Sequence, residues 1–93
     1  MVEITKLFWK KVYSSDSFLL GEVNSAELNE SNWQIMNLYV VLTDEAIKKF
    51  GFSRPFLGKV IVCLPVSTVD SFRDTIKLKK TMAELMTLKE CKE

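Results

Sequence analysis

Trp33-Gln34-Ile35-Met36-Asn37-Leu38-Tyr39-Val40-Val41-Leu42 is the stretch on which the fold turns. β-Branched and aromatic residues dominate it, and both suit a pleated, half-buried surface. Trp33, Ile35, Tyr39 and Val41 share one face of the predicted strand. Met36, Leu38, Val40 and Leu42 share the other. Both faces are apolar in the second half, so that half should be covered on both sides. Upstream, Asn29-Glu30-Ser31-Asn32 forms a turn cluster, and residues 18–28 read as a second long strand. The two make a hairpin with a four-residue loop. In strand 18–28, Phe18, Leu20, Ala26 and Leu28 hold one phase and Val23 breaks it. Gly21 sits at the break, where glycine marks a bulge or a tight bend.

Moving outward, Lys11-Val12-Tyr13 is a short strand, closed by the turn formers Ser14-Ser15-Asp16-Ser17. Thr43 to Gly51 is a helix with its signals in order. Thr43 caps the start, Asp44 and Glu45 fill the first turn, Lys48 and Lys49 the last, and Gly51 stops it. Two turns alone are unstable in water, so Ile47 and Phe50 must dock. Residues 59–64 read as a buried strand ended by Pro65. Residues 66–73 read as irregular, anchored by Val69 and Phe72. Residues 75–78 alternate, with Ile76 and Leu78 inward. Thr81 and Glu84 have capping-box spacing and open a helix over about 82–91.

The expected fold is mainly β. It is a small, partly open antiparallel β-barrel of five to six short strands, with one short inserted helix and a C-terminal helix. Residues 1–80 form the barrel domain. Residues 81–93 form a helix that packs on the barrel or on a dimer partner.

Composition narrows the function. The 93 residues include thirteen basic and twelve acidic side chains and no histidine. Without histidine there is no imidazole general base, no Ser-His or Cys-His pair, and almost no route to catalytic zinc. The expectation is a protein that is not an enzyme and uses no cofactor or metal. A sequence pI near 7.7 argues against broad nucleic-acid binding, which favours a domain pI above about 9. Cys63 and Cys91 show no CxxC or metal-ligand spacing. Cys63 reads as a small buried hydrophobe and Cys91 as inert. The start lacks a signal-peptide core, and no apolar run approaches the ~20 residues of a membrane span. A cytoplasmic chain with reduced thiols is expected, with a Cys63–Cys91 disulfide as the lesser alternative.

Several stretches resemble the PRC-barrel domain family. They are Lys11-Val12-Tyr13-Ser14-Ser15-Asp16, Leu20-Gly21-Glu22-Val23, Ile35 to Val41, and Gly58-Lys59-Val60-Ile61-Val62. The most specific piece is Leu64-Pro65-Val66-Ser67-Thr68-Val69 followed by Asp74-Thr75-Ile76. The likeness covers about residues 7–80, and the capped final helix looks like that of short stand-alone archaeal members. The family often has glycine where this chain has Ser17, and near Trp9. The resemblance implies a protein-binding barrel without chemistry. Members contact a ribosomal protein or photosynthetic core subunits. Archaeal members are associated with cell division through a membrane-tethering adaptor, and tend to form homodimers. Any membrane association would then be indirect, through a partner.

Three elements are candidate partner-binding sites. Phe8 and Trp9, flanked by Lys6, Lys10 and Lys11, either cap an open barrel end or anchor an acidic partner. Phe52, Arg54, Phe56 and Leu57 belong to an apolar loop that is either a lid or an interface. Met82, Leu85 and Met86 pack in cis or meet a second copy. The alternative function is an RNA-linked, ribosome-assembly barrel. It needs Tyr13, Trp9 and Trp33 on one face with Lys10, Lys11 and Lys59.

Overall fold

Alternation along the decisive stretch sends Leu38, Val40 and Leu42 into the interior, where each is at most 6% exposed. The structure, a computed structural model, describes residues 8–52, 59–88 and 91. Its strands are β1 (Lys11–Tyr13), β2 (Leu19–Leu28), β3 (Ile35–Leu42), β4 (Ile61–Pro65), β5 (Val69–Phe72) and β6 (Ile76–Leu78). Its helices are α1 (Asp44–Phe50) and α2 (Met82–Leu85). One six-stranded sheet runs in the order β4-β3-β2-β1-β6-β5.

The antiparallel expectation needs correcting. β1 and β6 run parallel, pairing Val12 with Ile76 and Tyr13 with Lys77. The remaining pairs are antiparallel, so the sheet is mixed. No ladder joins β4 to β5, so it is an open sheet and not a closed barrel. It is nevertheless rolled. In a flat sheet its two edges would stand about 24 Å apart, at roughly 4.8 Å per strand. Only the 3-10 turn Val66–Thr68 separates β4 from β5 in the chain, and so short a link reaches about 14 Å at most. The sheet must therefore coil until its edges approach at that corner.

Residues 66–73 are more regular than expected. Thr68 Oγ1 donates to Pro65 O at 2.6 Å and ties the 3-10 turn. Val69–Phe72 then pairs with β6. Its half-buried residues lack a clean alternation, which hides the strand from a pattern reading.

The coiled sheet buries Val12, Leu20, Val23, Leu38, Val40, Val62, Leu64, Ile76 and Leu78 on its inner wall. Ala46 and Ile47 of α1 and Met82 and Leu85 of α2 close this core. Each fully buried aliphatic side chain contributes roughly 1.5–3 kcal/mol. Leu20 and Val23 both point inward despite their odd spacing, because β2 is bulged. Val12 pairs with Gly21 and Tyr13 with Leu19, leaving Leu20 as the extra residue. Against β3 the register slips again between Val23 and Ser25. Gly21 makes this geometry possible, since a Cβ there would overlap the Val41 carbonyl.

Both helix starts follow the sequence signals. Thr43 Oγ1 accepts from Ala46 N at 3.1 Å, and Gly51 ends α1 at φ 75°. Thr81 and Glu84 form a reciprocal capping box. α2 is shorter than the expected 82–91. After Leu88 the chain returns to the sheet, where Cys91 N donates to Ile61 O at 2.7 Å. A straight helix through Cys91 could not make that contact.

Cys63 and Cys91 are joined by a disulfide, with Cα atoms 5.5 Å apart. This corrects the expectation of reduced thiols. The expectation rests on compartment, whereas the fold brings the end of the chain onto β4. Cys63 is also not a core residue. Val62 and Leu64 point inward at 0% exposure, so Cys63 between them points outward and is half-buried.

Candidate functional site

Trp9 is 61% exposed and lies in the left-handed backbone region, at φ 68°. That conformation is uncommon for a bulky residue and costs roughly 1–2 kcal/mol. Two backbone bonds hold it there. Trp9 N donates to Val23 O at 2.7 Å, and Val23 N donates to Lys10 O at 3.0 Å. They extend the β1–β2 pairing back through the residue, so the strand ladder fixes where the ring stands.

The ring borders a cleft of about 230 Å³ lined by Trp9, Gly21, Glu22, Val41, Leu42, Thr43 and Lys59. Gly21 supplies a floor without a side chain, and Val41 an apolar wall from the outward face of β3. The Lys59 ammonium lies 5.9 Å from the Trp9 ring centroid, within cation–π reach. Lys10 makes a similar contact with Phe72 at 5.3 Å. Phe8 beside Trp9 is 36% exposed. A large aromatic, a lysine held over its face and one carboxylate therefore surround a shallow recess. Such a surface can bind but offers no nucleophile paired with a base. Among the described residues no cluster of His, Cys, Asp or Glu could hold a metal ion. No helix among them is long and apolar enough to cross a membrane.

The other candidates fare differently. Phe52 packs against the core, and its ring stacks on Phe50 at 5.6 Å. Arg54, Phe56 and Leu57 lie outside the described residues. Met82 and Leu85 are 6% and 2% exposed, which is the packing in cis; they are part of this chain's own core. Only Met86 of that trio is exposed, at 44%. Trp33 is 73% exposed, but at the β2–β3 turn. It lies beyond Leu28, whereas Trp9 is held at Val23, on the order of 16 Å away along β2. The two tryptophans therefore stand at well-separated points along β2.

Lys59, Val41 and Thr43 as neighbours of Trp9 were missed by the sequence reading. From the sequence, Lys59 enters only as a cation for the RNA alternative. The one available signal was Gly21, which lines the recess where β2 and β3 approach closely.

At the opposite end of β1 a second polar cluster is structural. The Ser14 hydroxyl donates to the Asp16 carboxylate and accepts from Phe18 N at 3.0 Å. Asp16 also accepts from Met82 N at 3.3 Å, at the start of α2. The Ser14 hydroxyl first, with the Met82 amide and Lys49, holds the Asp16 carboxyl below its ordinary range. The Thr81 amide and hydroxyl do the same to Glu84.

Neither a family model nor a curated protein matches this chain.

Proposed function

We propose that this chain is a non-enzymatic protein-interaction module of PRC-barrel type that docks an acidic segment of a protein partner at the Trp9–Lys59 cleft. The observation that carries this reading is Trp9 itself. A large aromatic is kept exposed in a costly backbone conformation, beside a recess, with a cation over its ring. Tryptophan dominates interface hot spots, and strained residues cluster where a surface is used. Lys59 and Lys10 would complement carboxylates on the partner.

The backbone supports the family assignment. Ser17 and Trp9 both adopt positive φ, 67° and 68°. The PRC-barrel family favours glycine at the first of these places and near the second. A mixed, rolled sheet with a short inserted helix and a capped final helix is also compatible with it. On that assignment the protein is a cytoplasmic adaptor, with archaeal cell division as its setting and a homodimer as its expected form.

Affinity purification from the native host with wild type, Trp9→Ala and Lys59→Glu tests the docking surface. Both variants should fold, as judged by circular dichroism, and should lose the partner. Wild-type binding itself should weaken as salt rises, since attraction between exposed charges is screened beyond about 8 Å at 0.15 M. Variants that fold and retain every partner at native strength remove the cleft from consideration. Sedimentation of the purified chain tests the homodimer separately.

A further inference from the structure

β4 is an edge strand of the sheet. Leu42 N donates to Val60 O at 2.9 Å, and the register continues through Val40–Val62 and Leu38–Leu64. Hydrogen-bonded pairs alternate along an antiparallel ladder. The backbone groups of Ile61, Cys63 and Pro65 therefore face away from β3, toward the open side. Pro65 has no N–H to offer there, a common way of blunting an edge. The carbonyl of Ile61 is covered by Cys91 N. The disulfide to Cys63 fastens that cover in place.

We infer that Cys63–Cys91 is a reversible redox modification site, reduced by a low-molecular-weight thiol, that covers or uncovers the β4 edge. The bond does not join two core elements. α2 is already anchored by Met82 and Leu85 within the core, and the bond reaches a residue beyond it. Both cysteines are half-buried and outside the inner wall, so a small thiolate can reach them. A thiolate attacks one sulfur and forms a mixed disulfide with it. The other cysteine leaves as a thiolate and takes up a proton. A second thiol resolves the mixed disulfide, so two thiols are oxidised to one disulfide and the protein gains two thiols. Among the described residues, opening the bond leaves the Cys91 N–Ile61 O hydrogen bond to hold Cys91 on β4. Edge strands with free backbone groups are templates for further strand pairing, so the redox state governs access to that edge.

The full chain should be tested oxidised, after reduction with dithiothreitol, and as Cys91→Ser, with hydrogen exchange read residue by residue. Alkylation and mass measurement should find no free thiol in the oxidised protein and two after reduction. Exchange at the Cys91 amide should accelerate about tenfold or more on reduction, with amides of β1 and β6 unchanged within about twofold. Cys91→Ser should match the reduced protein in exchange at residue 91, whatever the redox buffer. Three results would overturn the inference: two free thiols under oxidising conditions, unchanged exchange at residue 91 on reduction, or cooperative unfolding of the whole domain.

Discussion

Trp9 and Trp33 share an unusual pair of properties, but the parts of the chain that hold them differ. Both adopt the left-handed backbone conformation, at φ 68° and 59°, and both are largely exposed. Trp33 belongs to a turn that closes itself. Its N–H donates to Asn29 O at 2.7 Å, and Asn29 N donates to Gln34 O at 2.8 Å. Side-chain carbonyls of Asn29 and Asn32 cap Ser31 and Gln34. The strain at Trp33 is thus the local cost of a six-residue connection between β2 and β3. The Trp9 backbone is held instead by Val23 of β2, and its ring meets Lys59 from just before β4. Strain and exposure alone therefore do not define a site. What separates the two residues is whether distant segments converge on the ring.

Gly21 offers the largest test of this contrast, because it lines the Trp9 cleft. Gly21→Ala should destabilise the chain by about 3 kcal/mol in urea, since the new Cβ meets backbone and not a flexible side chain. A loss below about 1 kcal/mol would mean that β2 and β3 part readily, and that the cleft has no fixed floor.

Next in size is partner binding. Trp9→Ala should weaken it by about 30-fold, roughly 2 kcal/mol, while Trp33→Ala should change it less than about twofold. Equal effects in a titration would erase the distinction between the two residues.

The two positions should also differ in stability. Trp33→Gly relieves backbone strain and should add about 1 kcal/mol, with an unchanged denaturant slope. Trp9→Gly should gain less, because it also loses the contact with Lys59, worth about 0.5–1 kcal/mol. A larger gain at Trp9 would show that its ring contributes nothing to the fold.

The smallest effect lies away from both tryptophans, at Asp16 and Glu84. Both carboxyls titrate lower in the folded chain than their ordinary values of 3.8 and 4.5. The stability they add is complete above those values and is lost as pH falls through the lowered ones. Asp16→Asn should flatten the acid limb of the stability curve below about pH 4. An identical limb in the variant would show that the Ser14 and Met82 bonds do not favour the ionised form. Tryptophan emission should stay constant until global unfolding, since neither ring touches this cluster.

Much of the fold was legible because its signals are local. Thr43, Asp44, Glu45, Lys48, Lys49 and Gly51 announce α1 within nine residues. Thr81 and Glu84 announce the start of α2 in the same way. The break of phase at Gly21 located the bulged strand, because an inserted residue flips every later side chain. Three features had no such signal. The parallel pairing of β1 with β6 joins segments far apart in the chain. β5 is too short and too evenly half-buried to show a period. The Cys63–Cys91 bond, with a sequence separation of 28, depends on where the chain end travels after α2.

The site divides along the same line. Trp9 stands out in the sequence as an aromatic among lysines, but its neighbours Val41 and Lys59 come from other segments. Composition and periodicity determined that this chain is mainly β, lacks imidazole chemistry, and places two capped helices after β3 and β6. Local backbone preference and hydrophobic burial act over a few residues, so they can be read in order. Tertiary structure alone decided that the sheet is mixed and rolled without closing, that Met82 and Leu85 face inward, and that Trp9 meets Lys59. It also decided that Cys91 reaches β4. Those outcomes depend on which distant surfaces meet, and the deciding term is the fit of the whole core, which no single segment carries.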